Sequence, residues 1–194
     1  MDNDVSDLSK LPVIRQLIEA VLTTFGTIDV LVNNAGVNIA KSGMEVTESD
    51  QDTVLDLNLK SVFFTSQIAA RQMLAQRSGK IINIASQMAF VGYYKRAAYC
   101  ASKGGLVQWT KALAVEWAEH GIAVNAVTPT FIETKLTAKM FTDESFKRDV
   151  GKRILLKGLA KPKDISGAVH YLASDMTGFV TGETIKVDGG WTAI

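Results

Sequence analysis

Tyr99 and Lys103 stand four residues apart in the stretch AAYCASKGG, residues 97–105. On a helix that spacing puts both side chains on one face. An ammonium beside a phenol favours tyrosinate and pulls the hydroxyl down from its ordinary pKa near 10. A phenol tuned in this way could exchange a proton with an alcohol or a carbonyl near neutral pH. The same two residues could equally be a helix-surface pair worth roughly a few tenths of a kcal/mol. Three other places bear on that choice. Ser86 follows the apolar run KIINIA, thirteen residues before Tyr99; its hydroxyl could bond a substrate oxygen or cap a helix. Asn58 interrupts a helical stretch at LDLNLKS. Asn competes for backbone hydrogen bonds, so it could kink the helix and hold a water, or face solvent. NNAG, residues 33–36, follows another apolar run. There Ala35 and Gly36 would let a flat ligand reach the backbone, or would simply make a turn.

The elements that must position these residues are legible as an alternation. IDVLV (28–32), KIINIA (80–85), IAVNAVT (122–128) and TIKV (184–187) are β-rich and almost unbroken in hydrophobicity. Strands covered on both faces read this way, which predicts a parallel sheet between helices. Residues 10–25 carry Leu11, Ile14, Leu17, Ile18, Val21 and Leu22 at helical spacing, and Gly26 ends the run. Residues 48–76 predict one long or two abutting helices, 99–119 another that Gly121 stops, and 163–173 a shorter one. Strand alternating with helix is the α/β signature, with ligands expected at the carboxyl ends of the strands.

Composition narrows the function classes. The chain has 194 residues, of which 47% are hydrophobic and 21% charged, as expected for one folded domain with its own core. A net charge of +1 and no basic stripe imply neither nucleic acid nor membrane as a partner. No apolar run approaches the roughly 20 residues of a membrane helix, and MDNDVSDLSK has no signal-peptide pattern. The lone Cys100 fits a reducing compartment, so the expected location is cytoplasmic. Two histidines and one cysteine predict no metal site. Met88, Met140 and Met176 are expected to fill gaps, His120 to end a helix, and Cys100 to pack on a different face from Tyr99.

The order NNAG, then Asn58, then a strand-end Ser86, then Tyr99 with Lys103, is more specific than any of its parts. With FGTIDVLVNNAGV, SGKIINIAS, YCASKGGL, GIAVNAVTP and GETIKVDGGW in sequence, the chain resembles the short-chain dehydrogenase/reductases that have a Ser–Tyr–Lys–Asn active site. The resemblance runs from about residue 4 to the C-terminus. Several segments, including LNLKSVFFTSQIAARQM and VDGGW, look most like the sugar-acid and polyol members, the gluconate and 2-deoxygluconate dehydrogenases.

The resemblance implies an NAD(P)-dependent oxidoreductase that interconverts an alcohol and a ketone, with NAD or NADP as cofactor. It makes Tyr99 the acid/base and Lys103 the residue that lowers its pKa and holds the nicotinamide ribose. Ser86 would orient the substrate and Asn58 would hold a relay water. Asp4 and Val5 would lie near the adenine, and Asn34, Ala35 and Gly36 at its ribose. Pro129, Ile132 and Thr134 would lie by the nicotinamide. Gln87, Tyr93, Tyr94 and Arg96 lie between the serine and the tyrosine. They could contact a polyhydroxylated or carboxylated substrate, or be solvated loop residues. Residues 135–161 would form a lid, and helices 48–76 and 99–119 the interface of a homo-oligomer.

The fold implied is α/β, a Rossmann-like parallel sheet flanked by helices, N-terminally truncated to about four strands. Residues 1–194 would then be a single, partial Rossmann-fold domain. The family's glycine-rich first turn, which cradles the pyrophosphate, has no counterpart here. Strand 28–32 would become an edge. An alternative reading follows: a truncated, non-catalytic member that cannot bind the dinucleotide. A second departure is Thr130, where the family has glycine after proline; a side chain there is expected to shift that loop.

Overall fold

The computed structural model describes residues 7–193. The apolar runs form four strands, β1 (Val30–Asn33), β2 (Gly79–Ile84), β3 (Ile122–Pro129) and β4 (Thr184–Val187). Around them lie α1 (Leu11–Phe25), α2 (Glu48–Leu55), α3 (Ser61–Gln76), α4 (Ala97–Trp117), α5 (Lys135–Ala138), α6 (Glu144–Arg153) and α7 (Pro162–Ala173). The strands pair in parallel in the order β1-β2-β3-β4, with Val30 beside Lys80, Gly79 beside Ile122 and Ala126 beside Thr184. Among the described residues β1 is therefore an edge.

Both faces of the sheet are covered, as the unbroken hydrophobicity requires. Successive strand residues point to opposite faces. Ile81, Ile122 and Val124 pack with Ile18 of α1, Met73 of α3 and Leu113 of α4. On the other face Ile82 and Val127 pack with Ile165 and Leu172 of α7. A separate aromatic cluster joins Tyr93, Phe131, Phe141, Phe146 and Trp191, tying α6 to the carboxyl end of the sheet.

Local signals explain the boundaries. Gly26 caps α1 in the left-handed region at φ 77 and donates to the Leu22 carbonyl. Gly121 also sits at φ 77, and a Cβ there would come within 2.3 Å of the Arg77 carbonyl oxygen, so only glycine fits the turn into β3. Thr47 and Asp50 close a capping box at the start of α2. The stretch 48–76 forms two α-helices, as expected, and a π-helical turn, Asp56–Lys60, joins α2 to α3. Such turns displace one residue inward and often sit at functional sites. Here the displaced region contains Asn58.

Candidate active site

Three parallel strands end at the same side of the sheet. The segments that leave β1, β2 and β3 there enclose a cavity of about 440 Å³. Asn34 and Gly36 come from the first segment, Ser86 and Gln87 from the second, and Thr130 and Ile132 from the third. Helix α4 brings Tyr99 and Lys103 to the same wall, with Arg96 immediately before its first turn. Among the described residues that line this cavity, Arg96 and Lys103 carry charge and no carboxylate is present.

Ser86 serves the capping purpose. It is the N-cap of a short 3-10 turn, Gln87–Ala89, and its Oγ accepts the Met88 N–H at 3.2 Å. That bond takes up a lone pair and leaves the O–H as a donor, directed at the Tyr99 hydroxyl, whose pKa the Ser86 hydrogen bond pulls down. Lys103 is 5% exposed and its Nζ donates to the Ile84 carbonyl at 2.8 Å. The same Nζ lies 5.8 Å from the centre of the Tyr99 ring, as the four-residue spacing on a helix predicts.

Asn58 does not face solvent. It is completely buried, its Oδ1 accepts the Val37 N–H at 2.7 Å, and its Nδ2 donates to the Val37 carbonyl at 2.8 Å and Ser102 Oγ at 3.2 Å. Ser102 Oγ in turn donates to the Tyr99 carbonyl at 2.8 Å. The amide thus ties the loop after β1 to the helix that carries Tyr99. Gly36 leaves room in that loop: a Cβ would stand 3.1 Å from Asn58 Oδ1, a tight contact, and 3.7 Å from Lys103 Nζ.

The electrostatics correct one expectation. Burial pushes the Tyr99 hydroxyl above its ordinary pKa, and the partial downward pulls come from Ser86 and Arg96 rather than from Lys103. Burial also lowers Lys103, from 10.5 to about 8. Desolvation disfavours the charged form of both groups. Sequence spacing shows the pair but not the dryness of the wall it stands in.

Other residues fall on either side of the expectation. Asn34, Gly36, Gln87, Arg96, Ile132 and Thr134 line the cavity; Ala35 and Pro129 lie outside its wall. Tyr94 is 75% exposed and is not brought to the cavity. Tyr93 is committed elsewhere: its hydroxyl donates to Asp149 at 2.8 Å and its ring packs in the aromatic cluster. Asp4 and Val5 lie outside the described residues. Thr130 does not take a left-handed backbone, and its N–H donates to the Val187 carbonyl at 3.2 Å, so a side chain is accommodated without strain. Met140 lines the cavity, whereas Met176, expected as a gap-filler, is 82% exposed.

Sequence reasoning missed a buried amide network beneath the site. Asn33 Nδ2 donates to Asn83 Oδ1 at 2.8 Å and Ser66 Oγ at 2.9 Å, and Asn83 Nδ2 donates to Thr110 Oγ1 at 3.0 Å. It pins β1 and β2 to α3 and α4. Its only sequence signal is an Asn inside each of two otherwise apolar strands.

Comparison with known proteins gives one family. A family model described as enoyl-(acyl carrier protein) reductase matches residues 3–192. A 2-dehydro-3-deoxy-D-gluconate 5-dehydrogenase from Escherichia coli K12 is 43% identical over 189 residues, which cover 97% of this chain and 75% of the relative. An NAD-dependent glycerol dehydrogenase from Listeria innocua is 36% identical, with 96% of this chain and 73% of the relative covered. Among solved structures, a gluconate 5-dehydrogenase from Burkholderia cenocepacia J2315, in complex with NADP and tartrate, superposes with a TM-score of 0.93 at 34% identity. It covers 97% of this chain and 74% of that one.

Proposed function

The chain belongs to the short-chain dehydrogenase/reductase family, and from that premise we propose that it is an NAD(P)-dependent oxidoreductase interconverting an alcohol and a ketone on a sugar acid or polyol. The observation that supports this most is the meeting of Ser86, Tyr99 and Lys103 in one cavity at the carboxyl ends of three parallel strands. Three of the relatives support the substrate class, being dehydrogenases of 2-dehydro-3-deoxy-D-gluconate, glycerol and gluconate by name; others at similar identity are 3-oxoacyl-[acyl-carrier-protein] reductases by name.

The residues present fit the nicotinamide end of a dinucleotide. The missing side chain of Gly36 keeps the approach to Lys103 Nζ open, and Asn34, Ile132 and Thr134 line the same wall. NAD or NADP would supply the hydride donor or acceptor. Lys103 would hold the ribose through Nζ. Tyr99 would move the proton at the substrate oxygen; its burial keeps the phenol protonated at neutral pH, ready to donate to a carbonyl. Ser86 would donate its O–H to the same oxygen and so fix its position. Both N–H donors of the Asn58 amide are committed, to the Val37 carbonyl and Ser102, and Oδ1 accepts one bond from Val37. The amide acts by positioning, and the relay water expected of Asn58 would have to bond the remaining Oδ1 lone pair or its backbone carbonyl. We also propose a homo-oligomer through the helices of residues 48–76 and 99–119. Much of their apolar surface is internal core, but Val115 remains 83% exposed on α4.

The test follows absorbance at 340 nm with NAD(H) and NADP(H) against D-gluconate, 2-dehydro-3-deoxy-D-gluconate and glycerol. Turnover is expected, with Tyr99→Phe lowering it by about 100-fold or more. No turnover on any alcohol or ketone, or turnover indifferent to Tyr99→Phe, rejects the proposal.

A further inference from the structure

We infer that Arg96, Gln87 and Thr130 form a receptor for the carboxylate end of a polyhydroxy acid, in the part of the cavity next to Ser86 and Tyr99. The inference rests on the oxidoreductase reading and adds to it the residues that would select an acid over a neutral polyol.

Arg96 is the starting point. It is 7% exposed, and its one hydrogen bond within the chain runs from Nη1 to the Lys95 carbonyl at 3.2 Å. It makes no ion pair with a carboxylate among the described residues. The titratable groups that act on it are Tyr93, Tyr99 and Cys100, and none of them is a carboxylate. A guanidinium has five donors and stays charged. Burying one without a counter-charge is costly, which is why buried charges are ordinarily paired. Most of this fork is unspent, and it lies in the wall of a cavity lined by no carboxylate.

Two neighbours in the same wall carry the same deficit. Gln87 is 1% exposed, yet neither its Oε1 nor its Nε2 has a partner. Thr130 is 8% exposed and its Oγ1 has none. Buried polar groups are bonded in the great majority of cases. Here a planar cation, an unpartnered amide able to donate and accept, and an unpartnered hydroxyl belong to residues in the wall of one cavity. A carboxylate matches the guanidinium by two parallel hydrogen bonds. Carbon-bound hydroxyls match the amide and the threonine, each acting as donor and acceptor. A neutral polyol would satisfy Gln87 and Thr130 but leave Arg96 buried and unpaired. Selection for the acid follows from that difference, since a site built to bond a group rejects the analogue that lacks it.

The experiment is calorimetry on the whole chain without dinucleotide, titrating D-gluconate and, separately, D-glucitol. These share the six-carbon polyhydroxy chain and differ in the terminal carboxylate. Gluconate should bind about tenfold more tightly or better, as expected for a hydrogen bond to a charged partner. Arg96→Leu should abolish the preference, and Arg96→Lys should keep part of it as a point charge. Gln87→Leu should weaken both ligands by a similar factor. Circular dichroism and melting temperature check that each variant folds, and the wild-type comparison of the two ligands needs no variant. Equal binding of gluconate and glucitol, binding of neither, or a preference that survives Arg96→Leu overturns the inference. Because the readout is binding, it separates from the catalytic reading. Selective gluconate binding without turnover upholds the receptor and rejects the reaction; turnover with no preference for acids does the reverse.

Discussion

Lys103→Met should make the protein more stable while removing its activity. Lys103 is 5% exposed, and burial brings its pKa from 10.5 to about 8. At 1.36 kcal/mol per pKa unit, keeping the ammonium in that wall costs about 3 kcal/mol at pH 7. Methionine has a similar length and no charge. The substitution forfeits the hydrogen bond to the Ile84 carbonyl, worth about 1 kcal/mol. The net gain is then about 2 kcal/mol at neutral pH. The sign of the pH dependence follows. Between about pH 8 and 10.5 the unfolded chain holds the Lys103 proton more often than the folded one. Wild-type stability therefore rises with pH across that window. By about pH 9.5 roughly 2 kcal/mol of the cost is gone, and the advantage of the variant should have closed to near zero. Urea unfolding followed by tryptophan fluorescence at the two pH values measures this. A variant less stable than wild type at pH 7, or a difference that does not move with pH, refutes the reasoning.

Two further outcomes are expected. Asn58→Leu removes a completely buried amide that makes three hydrogen bonds, two of them to Val37. It should cost about 3 kcal/mol and lower the melting temperature by roughly 10 °C; an unchanged melting temperature would show that the loop after β1 is held by something else. For the oligomer, sedimentation equilibrium should give at least twice the chain mass, and Val115→Asp should reduce it; a wild-type monomer excludes the interface.

The sheet was legible because its strands are buried on both faces. Ile81 and Ile82 are adjacent and both almost inaccessible, so the run reads apolar without alternation. Tyr99 and Lys103 were legible because four residues is close to one helical turn. What could not be read depends on groups distant in sequence. The partners of Asn58 lie 21 and 44 residues away, and no periodicity marks the π turn that turns it inward. Tyr93 and Tyr94 are neighbours in a loop, where nothing in the sequence says which ring enters the aromatic cluster and which stays exposed. The upward shift of the Tyr99 hydroxyl was not legible for the same reason. The charge partner is local and visible, but desolvation is contributed by every element that closes over the pair.

The distribution of unfavourable features argues for function more strongly than any one residue does. Away from the cavity the described residues satisfy nearly all of their buried polar groups, Thr184 Oγ1 excepted. Asn33, Ser66, Asn83 and Thr110 bond one another, and Asn125 donates to the Val180 carbonyl while accepting the Glu183 N–H. Among the described residues, four buried side-chain polar atoms have no partner, and three of them belong to Gln87 and Thr130 in the cavity wall. Among the described residues the buried cations, Arg96 and Lys103, stand in that wall as well. A chain selected for stability alone would have no reason to gather an unpaired guanidinium, a desolvated ammonium and an orphaned amide around one hole. Local rules fail where a ligand completes them. Since all the lining charge is positive, the ligand that completes this one brings negative charge with it.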